Sequence, residues 1–396
     1  MIFRSVSVLD FSDIRPGYLE VNVDRVLENI RLIRKRLGPD VKLMVPVKGN
    51  FYGLGVRGLL PFIDDQVDYY ALALVSEALE VRRLGSTKEI LLLSYTPRSQ
   101  YKYLLDYNLM PSIFSYEDAQ VLSDLAEERN KVHTIHLALD TGMTRIGFDL
   151  SDKSLDDIEK ISKLRGLRIG GIFTHFTSSE ERDKGPSYKQ AKAYLDFINK
   201  LEQRGLDLGL KHTSNSGAVV SLPEYNHNLV RPGSSVMGLV EEPEKYSNLP
   251  VLATCQLKTK IVRIRTVNKG TKISYNGTYT VEKDGTKIAT VALGYADGIK
   301  RQMANVGEVL IKGKRAKIRG KICMDQFMVD VTDIDCQVGD EVIVFGYEEN
   351  APVIGDLAGW SDTCKIDILS SISYRVPRVY IKDGKVVNIA DYLFDK

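Results

Sequence analysis

The residues VPVKGNFYGLG place Lys48 directly after an apolar run and immediately before the glycines of a loop. Such a run predicts a buried strand that ends close to the lysine. A primary amine at a strand end can form a Schiff base with an aldehyde cofactor when its surroundings lower its pKa. Taken alone, a short motif of this kind more often marks a solvated lysine before a turn.

A second group, LDTGMTRIGF, places Arg145 in a loop that follows another predicted strand. The planar guanidinium of arginine can clamp a carboxylate through two parallel hydrogen bonds, which an ammonium group cannot do. Arg145 is therefore a candidate for holding an acidic substrate group, although an arginine in a surface loop explains the local pattern equally well.

Three further motifs, THF, HTSNSG and LVRPGS, also follow predicted strands. Their candidate residues are His175, Asn215, Ser216, Arg231, Gly233 and Ser234. Hydroxyl groups and the N–H groups of glycine-rich turns bind phosphate, and the last loops of a barrel often supply them. Each motif alone is more often turn chemistry, but their shared placement at strand ends favours a common site.

In the second half of the chain, the motifs SYNGTYT, GYADG and KICMDQF present Tyr275, Tyr295, Met324 and Asp325. A tyrosine has an ordinary pKa of about 10, so it acts as a base at neutral pH only where positive neighbours lower that value. Packing is the more frequent role of a tyrosine in a β-rich segment.

Eight apolar runs separated by helical stretches must position the first set of residues. The runs are KLMVPVK, YYALAL, EILLLS, MPSIFS, HTIHLAL, RIGGIFTHF, GLKHTS and HNLVRPG. Continuously apolar strands that alternate with helices predict a parallel (β/α)8 TIM-like barrel, whose active site lies at the carboxyl ends of the strands. The earlier run YLEVN is one strand too many; it either pairs with a second domain or caps the barrel floor.

The sequence pattern changes after about residue 250, where helical periodicity largely gives way to short β-prone runs and glycine turns. We therefore predict an α/β barrel domain over residues 17–250 and a mostly-β C-terminal domain over 251–396, and leave open whether residues 1–16 join the second. A length of 396 residues suits two domains.

Composition narrows the function further. The net charge of +2 and the lack of a basic stripe argue against a nucleic-acid partner. Four widely spaced cysteines fit neither a disulfide framework nor a zinc site, so we expect no metal. We find neither a signal peptide nor a run of about 18 apolar residues, and we expect a cytoplasmic protein without a membrane span.

Taken together and in order, nine motifs resemble the alanine racemase family over residues 18–380. They are KGNFYGLG, DTGMTRIGF, GIFTHF, NS, VRPG, SYNGTYT, GYADG, ICMDQ and SYRVPRVY. The resemblance implies a pyridoxal-phosphate enzyme with a cofactor-binding barrel, a β domain and a homodimer that shares its active sites. It implies interconversion of L-alanine and D-alanine, with D-alanine supplied to cell-wall peptidoglycan.

The resemblance also assigns roles. Lys48 would hold the cofactor and act as the base for D-alanine, and Tyr275 of the partner subunit would act as the base for L-alanine. The remaining cofactor residues would be Tyr52, His175, Asn215, Ser216, Arg231, Gly233, Ser234 and Tyr374. Arg231 would face the pyridine nitrogen, His175 would link Tyr275 with Arg231, and Tyr52 and Tyr374 would bind the phosphate. Substrate residues would be Arg145, Met324, Tyr295 and Asp325.

The sequence departs from the family pattern at one notable position. The family usually has a lysine, often carbamylated, seven residues before the clamp arginine, and its negative charge orients that arginine. Here the position is Ala138. No carbamate can form on alanine, so the departure puts the orientation of Arg145 in doubt.

Three alternatives stay open at this point. The substrate could be serine or a broad set of amino acids, although the large phenol of Tyr374 favours alanine. The barrel-plus-β plan also occurs in basic amino-acid decarboxylases, but those place an acidic group against the pyridine nitrogen, where this chain has Arg231. A cofactor carrier without turnover would need only the barrel.

Overall fold

The computed structural model describes residues 11–240 and 249–394. These residues form two compact units. The barrel unit contains residues 27–51, 60–240 and 249–251, and the β-rich unit contains residues 11–26, 52–59 and 252–394. Within the described ranges, no helix is both long and apolar enough to cross a membrane.

The barrel unit is built on eight parallel strands in the order β8-β7-β6-β5-β4-β3-β2-β9. They are β2 Lys42–Pro46, β3 Tyr69–Leu72, β4 Glu89–Leu92, β5 Leu109–Ile113, β6 His133–Ala138, β7 Leu167–Phe173, β8 Leu210–His212 and β9 Leu229–Val230. Each strand overlaps one of the eight predicted runs and begins no more than one residue before it, so the predicted parallel barrel is confirmed. The sheet nearly closes on itself, because Asn228 N–H donates to Lys211 O at 3.2 Å and Arg231 N–H to Ser214 O at 2.9 Å.

One layer of side chains fills the barrel interior. It takes one residue from each of seven strands: Met44, Ala71, Leu91, Met110, Ala138, Phe173 and Leu229. Ala138 is 2% exposed within this layer. A small apolar residue therefore occupies this position, and it packs there as part of the barrel core.

Helices follow the strands along the chain, and their bounds are α1 Val23–Arg36, α2 Val56–Ile63, α3 Val75–Arg83, α4 Tyr101–Tyr107, α5 Tyr116–Glu128, α6 Asp152–Ser162, α7 Gly185–Gln203, α8 Ser216–Ser221, α9 Ile354–Ser361 and α10 Lys365–Ser370. Polar side chains cap several of their first turns. Ser115 Oγ accepts from Asp118 N–H at 3.1 Å at the start of α5, and Ser151 Oγ accepts from Ser154 N–H at 3.2 Å at the start of α6. Such caps satisfy N–H groups that have no partner inside the helix.

The β-rich unit is built on a nine-stranded sheet with the main path β15-β14-β17-β10-β1-β18-β19, from which β13 pairs with β10 and β16. Its strands are β1 Tyr18–Asn22, β10 Cys255–Val267, β13 Thr286–Val291, β14 Glu308–Ile311, β15 Lys314–Lys317, β16 Phe327–Asp330, β17 Glu341–Phe345, β18 Arg378–Lys382 and β19 Lys385–Ala390. A separate hairpin joins β11 Lys272–Ile273 to β12 Tyr279–Thr280. The mostly-β second half is therefore confirmed.

The extra strand YLEVN is β1, and it lies in the β-rich sheet. It runs antiparallel to β10, with Tyr18 opposite Lys258, and parallel to β18, with Leu19 opposite Arg378. Residues 17–26 and 52–59, which the sequence assigned to the barrel domain, thus group with the β-rich unit. As functional domains, the ranges 17–250 and 251–396 stay a prediction.

The segment before β1 belongs to the same unit. Arg15 donates to both carboxylate oxygens of the buried Asp297, at 2.5 and 3.1 Å. Residues 1–10, the rest of the segment whose place the sequence left open, lie outside the described residues.

Candidate active site

Lys48 lies two residues beyond β2 and is followed by a left-handed turn. Gly49, Asn50, Phe51 and Tyr52 have φ values of 60°, 53°, 55° and 53°. Side-chain-bearing residues rarely adopt this conformation, and surrounding contacts must hold it. The carboxylate of Glu77 accepts the Gly49 N–H at 2.6 Å, and Phe51 N–H donates to Val47 O at 2.8 Å. The turn fixes the backbone on which Lys48 stands.

The surroundings of Lys48 favour its neutral form. Burial lowers the pKa of Lys48 below its ordinary value, and the positive charges of Arg145 and Arg231 act in the same direction. Glu77 opposes them. A lower pKa leaves more of the amine unprotonated at neutral pH, which is the form that attacks a carbonyl carbon.

Arg231, directly after β9, is a buried cation whose hydrogen-bond acceptors are all neutral. Its Nη1 donates to Nδ1 and O of His212 at 2.7 and 2.8 Å, and its Nη2 donates to the carbonyls of Thr174 and Thr213 at 2.7 and 3.2 Å. No carboxylate pairs with it among the described residues. Burial lowers the pKa of Arg231 to about 10, so the group stays protonated at neutral pH.

His212 continues this arrangement into the barrel. Arginine can only donate, so His212 Nδ1 must accept, and its proton lies on Nε2. That nitrogen lies 2.9 Å from Nδ1 of His136, which then accepts in turn. Burial lowers the pKa of His136 to about 3 and that of His212 well below its ordinary value, so both rings are neutral. The hydrogen bonds therefore run in one direction: Arg231 donates to His212, and His212 donates to His136.

His175, beyond β7, lies near the same cations. Burial lowers the pKa of His175 to about 3, and the charges of Arg231, Arg145 and Lys48 contribute to the shift. Gln190 on α7 holds the loop of His175: its Nε2 donates to His175 O at 3.2 Å and to Thr141 Oγ1 at 3.1 Å. The same amide thereby joins this loop to the loop that carries Arg145.

Arg145 lies on a loop closed at its base by Leu139 and Phe148, which form an isolated bridge. Inside the loop, Asp140 Oδ1 accepts the N–H groups of Gly142 at 2.9 Å and Thr144 at 3.0 Å. Arg145 itself is exposed and has no hydrogen bond or ion pair among the described residues. The backbone of the loop is held firmly, whereas the guanidinium remains available for an acceptor from outside.

The loops after β8 and β9 meet at Ser216. Its hydroxyl oxygen accepts Gly233 N–H at 2.9 Å and Ser235 N–H at 3.2 Å, so its own proton can be donated to a bound group. Gly233 N–H is therefore used within the protein, although the sequence suggested it as a phosphate donor. Asn215 caps α8 by accepting Ala218 N–H at 3.0 Å, and Ser234 lies beside Gly233 in the same turn.

The candidates of the β-rich unit are also gathered together. Tyr275 lies in the hairpin between β11 and β12. The hydroxyl of the preceding residue, Ser274, donates to Lys321 O at 2.6 Å. Shortly after Lys321, the carbonyl oxygens of Cys323 and Met324 accept the N–H groups of Tyr295 and Ala296, each at 3.0 Å. Tyr275 is 65% exposed and Met324 is 51% exposed. Both side chains are therefore accessible at the surface of this unit.

Arg375 connects this group with the neighbouring Tyr374. Its Nη2 lies 2.6 Å from Asp325 Oδ1, and its Nε lies 3.7 Å from Asp297 Oδ1. Tyr374 is 62% exposed, and Tyr52 is half-buried on the segment 52–59 of the same unit. The motifs GYADG, ICMDQ and SYRVPRVY are thereby linked through charged side chains.

The barrel end therefore brings together Lys48, Arg145, His175, Asn215, Ser216, Arg231, Gly233 and Ser234, and the β-rich unit brings together Tyr275, Tyr295, Met324 and Asp325. Contact between His175 and Tyr275 stays a prediction. Sequence reasoning missed Glu77, Gln190 and His212. Of these only His212 lies inside a recognised motif, HTSNSG, and its position beside Arg231 depends on the pairing of β8 with the end of β9.

Comparison with known proteins agrees with this geometry. Residues 21–241 match the N-terminal domain model of alanine racemase, and residues 254–380 match the C-terminal domain model. Alanine racemase 2 of Caldanaerobacter subterraneus subsp. tengcongensis is 39% identical over 386 residues, which cover 97% of this chain and 99% of that protein. These matches span both units of the fold.

Solved structures give the same result. An alanine racemase from Clostridium difficile superposes with a TM-score of 0.92 at 35% identity, covering 96% of this chain and 100% of that one. An alanine racemase from Bartonella henselae with covalently bound pyridoxal phosphate has a TM-score of 0.84 at 25% identity, covering 93% and 100%. The chain belongs to the alanine racemase family, whose members depend on pyridoxal phosphate.

Proposed function

We propose that this chain interconverts L-alanine and D-alanine, with pyridoxal phosphate held at the carboxyl ends of the barrel strands. Family membership and the likeness to solved alanine racemases support this activity. The observation that carries it is the presence at one barrel end of Lys48, an amine of lowered pKa, and Arg231, a buried cation without a carboxylate partner among the described residues. An acidic group in place of Arg231 would instead favour a decarboxylase.

The side chains at the barrel end suit this cofactor. Lys48 offers an amine for the aldehyde, and Ser216 offers a hydroxyl proton for the phosphate because its oxygen already accepts two N–H groups. When bound, the cofactor supplies an electron-withdrawing ring that stabilises negative charge on the substrate Cα. Tyr52, Tyr374 and Ser234 complete the proposed phosphate contacts. Gly233 holds the turn beside them through its N–H bond to Ser216, and Asn215 supports the loop by capping α8.

Arg231 limits the strength of the cofactor as an electron sink. A fixed cation facing the pyridine nitrogen disfavours protonation of that nitrogen. His212 and His136 lie behind the guanidinium, and their low pKa values keep both imidazoles neutral, so neither holds an extra proton that could pass to the pyridine nitrogen. Arg231 thereby disfavours side reactions that need a long-lived carbanion.

Two bases on opposite faces of Cα carry out the racemisation. Lys48 takes the proton from D-alanine, and Tyr275 takes the proton from L-alanine. With a pKa of about 3, His175 is neutral at working pH, so it assists Tyr275 through a hydrogen bond rather than through charge. The two enantiomers are therefore processed by different side chains.

Arg145 and the N–H of Met324 hold the substrate carboxylate. The exposed guanidinium of Arg145 lacks a partner among the described residues and can meet an incoming carboxylate, while Asp140 and Gln190 hold its loop. Tyr295 and Asp325 shape the access to the site. Ala138 packs in the barrel core, so the loop does not rely on a carbamate there.

We propose further that the enzyme is a homodimer in which Tyr275 completes the site of the other subunit. The exposure of Tyr275, Met324, Tyr295 and Tyr374 on one unit supports an interface on that side. We also propose a cytoplasmic location and the supply of D-alanine for peptidoglycan as the cellular role, as is usual in the family.

The proposal is tested by a chiral assay. Purified protein with pyridoxal phosphate is incubated separately with L-alanine, L-serine and L-lysine, and the D enantiomers are separated and quantified. We expect kcat/KM to be highest for alanine, and Lys48→Ala to abolish both turnover and the visible absorbance of the bound cofactor. Lys42→Ala, at the exposed start of the same strand, is the matched control and should change neither.

Two results would contradict the proposal. A kcat/KM for serine above that for alanine would make the chain a serine racemase, and release of carbon dioxide from ornithine or lysine would make it a decarboxylase.

A further inference from the structure

Arg378, at the start of β18, is 1% exposed and carries a charge that no carboxylate among the described residues balances. Within the part of the chain that the structure describes, its guanidinium donates only to main-chain carbonyls. Nε donates to Gly53 at 3.0 Å, Nη1 to Ser373 at 2.7 Å and Val376 at 2.6 Å, and Nη2 to Ile372 at 2.7 Å. Burial lowers the pKa of Arg378, although arginine remains charged in proteins.

A buried cation of this kind is a costly way to stabilise a core, because carbonyl dipoles replace its hydration only in part. An apolar side chain of similar volume would fill the space with less penalty. What the guanidinium adds is geometry, since its donors point in fixed directions within one plane. Arg378 therefore fixes the relative positions of the backbone segments whose carbonyls it binds.

Those segments carry two of the candidate cofactor residues. Gly53 directly follows Tyr52, and Ile372 and Ser373 directly precede Tyr374. The two tyrosines are far apart in sequence, and both lie within the β-rich unit. One guanidinium thus binds the backbone next to each phenol.

A second contact holds the same segment. The hydroxyl of Tyr380 lies 3.0 Å from Leu54 O and 3.1 Å from Gly55 O. Gly53 and Gly55 have φ values of 95° and 93°, and a Cβ at Gly58 would overlap the Tyr380 ring. The glycines of this segment therefore allow its backbone to lie close to Tyr380 and Arg378.

We propose that Arg378, assisted by Tyr380, is a positioning residue for the cofactor phosphate, which it serves by holding the backbone of Tyr52 and Tyr374. This inference rests on the proposed function, in which the two phenols bind that phosphate. Arg378 itself contacts neither the cofactor nor the substrate in this scheme.

The test compares two ligands of the apoenzyme, pyridoxal phosphate and pyridoxal, which differ only in the phosphate. Their dissociation constants are measured for the full-length protein and for Arg378→Lys and Arg378→Met. We expect Arg378→Met to weaken binding of pyridoxal phosphate roughly 10- to 100-fold, the range seen when a supporting partner of a bound group is removed. Binding of pyridoxal should change little, and Arg378→Lys should fall between Arg378→Met and the unaltered protein.

Lys258→Met is the matched control. Lys258 is a buried cation of the same unit that pairs with Glu20 at 3.2 Å, and it lies on β10, which carries neither tyrosine segment. The Lys258→Met variant should have a lower unfolding midpoint but an unchanged preference for pyridoxal phosphate over pyridoxal. If Arg378→Lys leaves that preference unchanged, or if Lys258→Met reduces it equally, Arg378 has only a structural role.

Three further variants keep the outcomes distinct. If the Arg378 variants do not fold, Tyr380→Phe decides, since an unchanged preference for pyridoxal phosphate would overturn the inference. Tyr52→Phe and Tyr374→Phe test the underlying proposal separately. If neither weakens binding of pyridoxal phosphate, the phenols are not phosphate ligands and the proposed function is wrong at that point, whatever Arg378 does.

Discussion

Lys48 lies beside two cations, Arg145 and Arg231, and one anion, Glu77, in a partly buried place at the end of β2. Burial and the two cations lower its pKa, and the anion raises it. Because Arg231 is enclosed by carbonyls and His212, whereas Arg145 is exposed, only Arg145 can be removed without leaving buried acceptors unpaired. The effect of a single charge on Lys48 is therefore measurable at Arg145.

We expect Arg145→Gln to raise the pKa of Lys48, because a nearby positive charge that lowers this pKa is lost. The pKa is obtained from the pH dependence of the rate at which the apoenzyme reacts with pyridoxal phosphate. Only the neutral amine reacts, so the profile should move to higher pH. Arg168→Gln, at the amino end of β7, is the control and should leave the profile in place. A shift to lower pH would show that Arg145 does not act on Lys48 through its charge.

At the scale of elements, the loop of Arg145 contains two glycines with similar backbone conformations but different surroundings. Gly142 has a φ of 138° and Gly147 a φ of 131°. A Cβ on Gly142 would come no closer than 3.8 Å to Gln190, whereas a Cβ on Gly147 would lie 2.5 Å from Asp140 N. The backbone strain of an added methyl group is similar at the two sites, but only Gly147 also collides with the backbone.

We therefore expect Gly147→Ala to displace the loop and raise KM for alanine by about tenfold or more, because a misplaced clamp loses substrate binding. Gly142→Ala should raise KM much less. Steady-state kinetics of both variants provide the measurement. Equal effects would mean that left-handed strain, and not the closed base of the loop, positions Arg145.

The elements also show how far the sequence can be interpreted. The eight barrel strands were predictable because most of them are continuously apolar and all are separated by helical lengths, and the strand ends located Lys48 and Arg231. The pairing of β1 could not be predicted, since a five-residue strand can join either sheet and its partners lie hundreds of residues away in the sequence. The same applies to Gln190 and Arg378, whose contacts depend on tertiary pairing and not on local pattern.

At the scale of the whole molecule, burial lowers the pKa of all five histidines, including those of His136 and His175 to about 3. The unfolded chain binds protons at these groups below about pH 6.5, while the folded chain does not. Stability is therefore lost as pH falls through that value, with the sign set by the unfolded state binding more protons.

Between pH 6.5 and 5.5, each histidine that stays neutral should cost about 1 kcal/mol in the free energy of unfolding. The three at the barrel end, His136, His175 and His212, should together cost about 3 kcal/mol. Urea unfolding at fixed protein concentration across this range provides the measurement. A free energy of unfolding that stays constant or rises on acidification would contradict the burial of neutral histidines.

The proposed sharing of sites between subunits is a second property of the whole molecule. Lys48→Ala and Tyr275→Ala subunits are each inactive alone, but a mixed dimer would contain one complete site. We expect activity to reappear when the two are mixed under conditions that exchange subunits. Absence of recovery, with exchange demonstrated by labelled subunits, would place both bases in one chain.

Tyr275 and Lys48 are proposed to serve opposite enantiomers. The equilibrium constant of racemisation is 1, so kcat/KM must be equal in the two directions even in a damaged enzyme, and overall turnover cannot separate the bases. Loss of the α-deuteron to solvent can separate the two bases, because it reports proton removal from one face of Cα.

The decisive measurement is therefore the washout of α-deuterium from L-alanine and from D-alanine by Tyr275→Phe. We predict that washout from L-alanine falls at least about 100-fold, the usual contribution of a general base, while washout from D-alanine by Lys48 stays within a few-fold of the unaltered enzyme. Equal losses for the two enantiomers would contradict the two-base account.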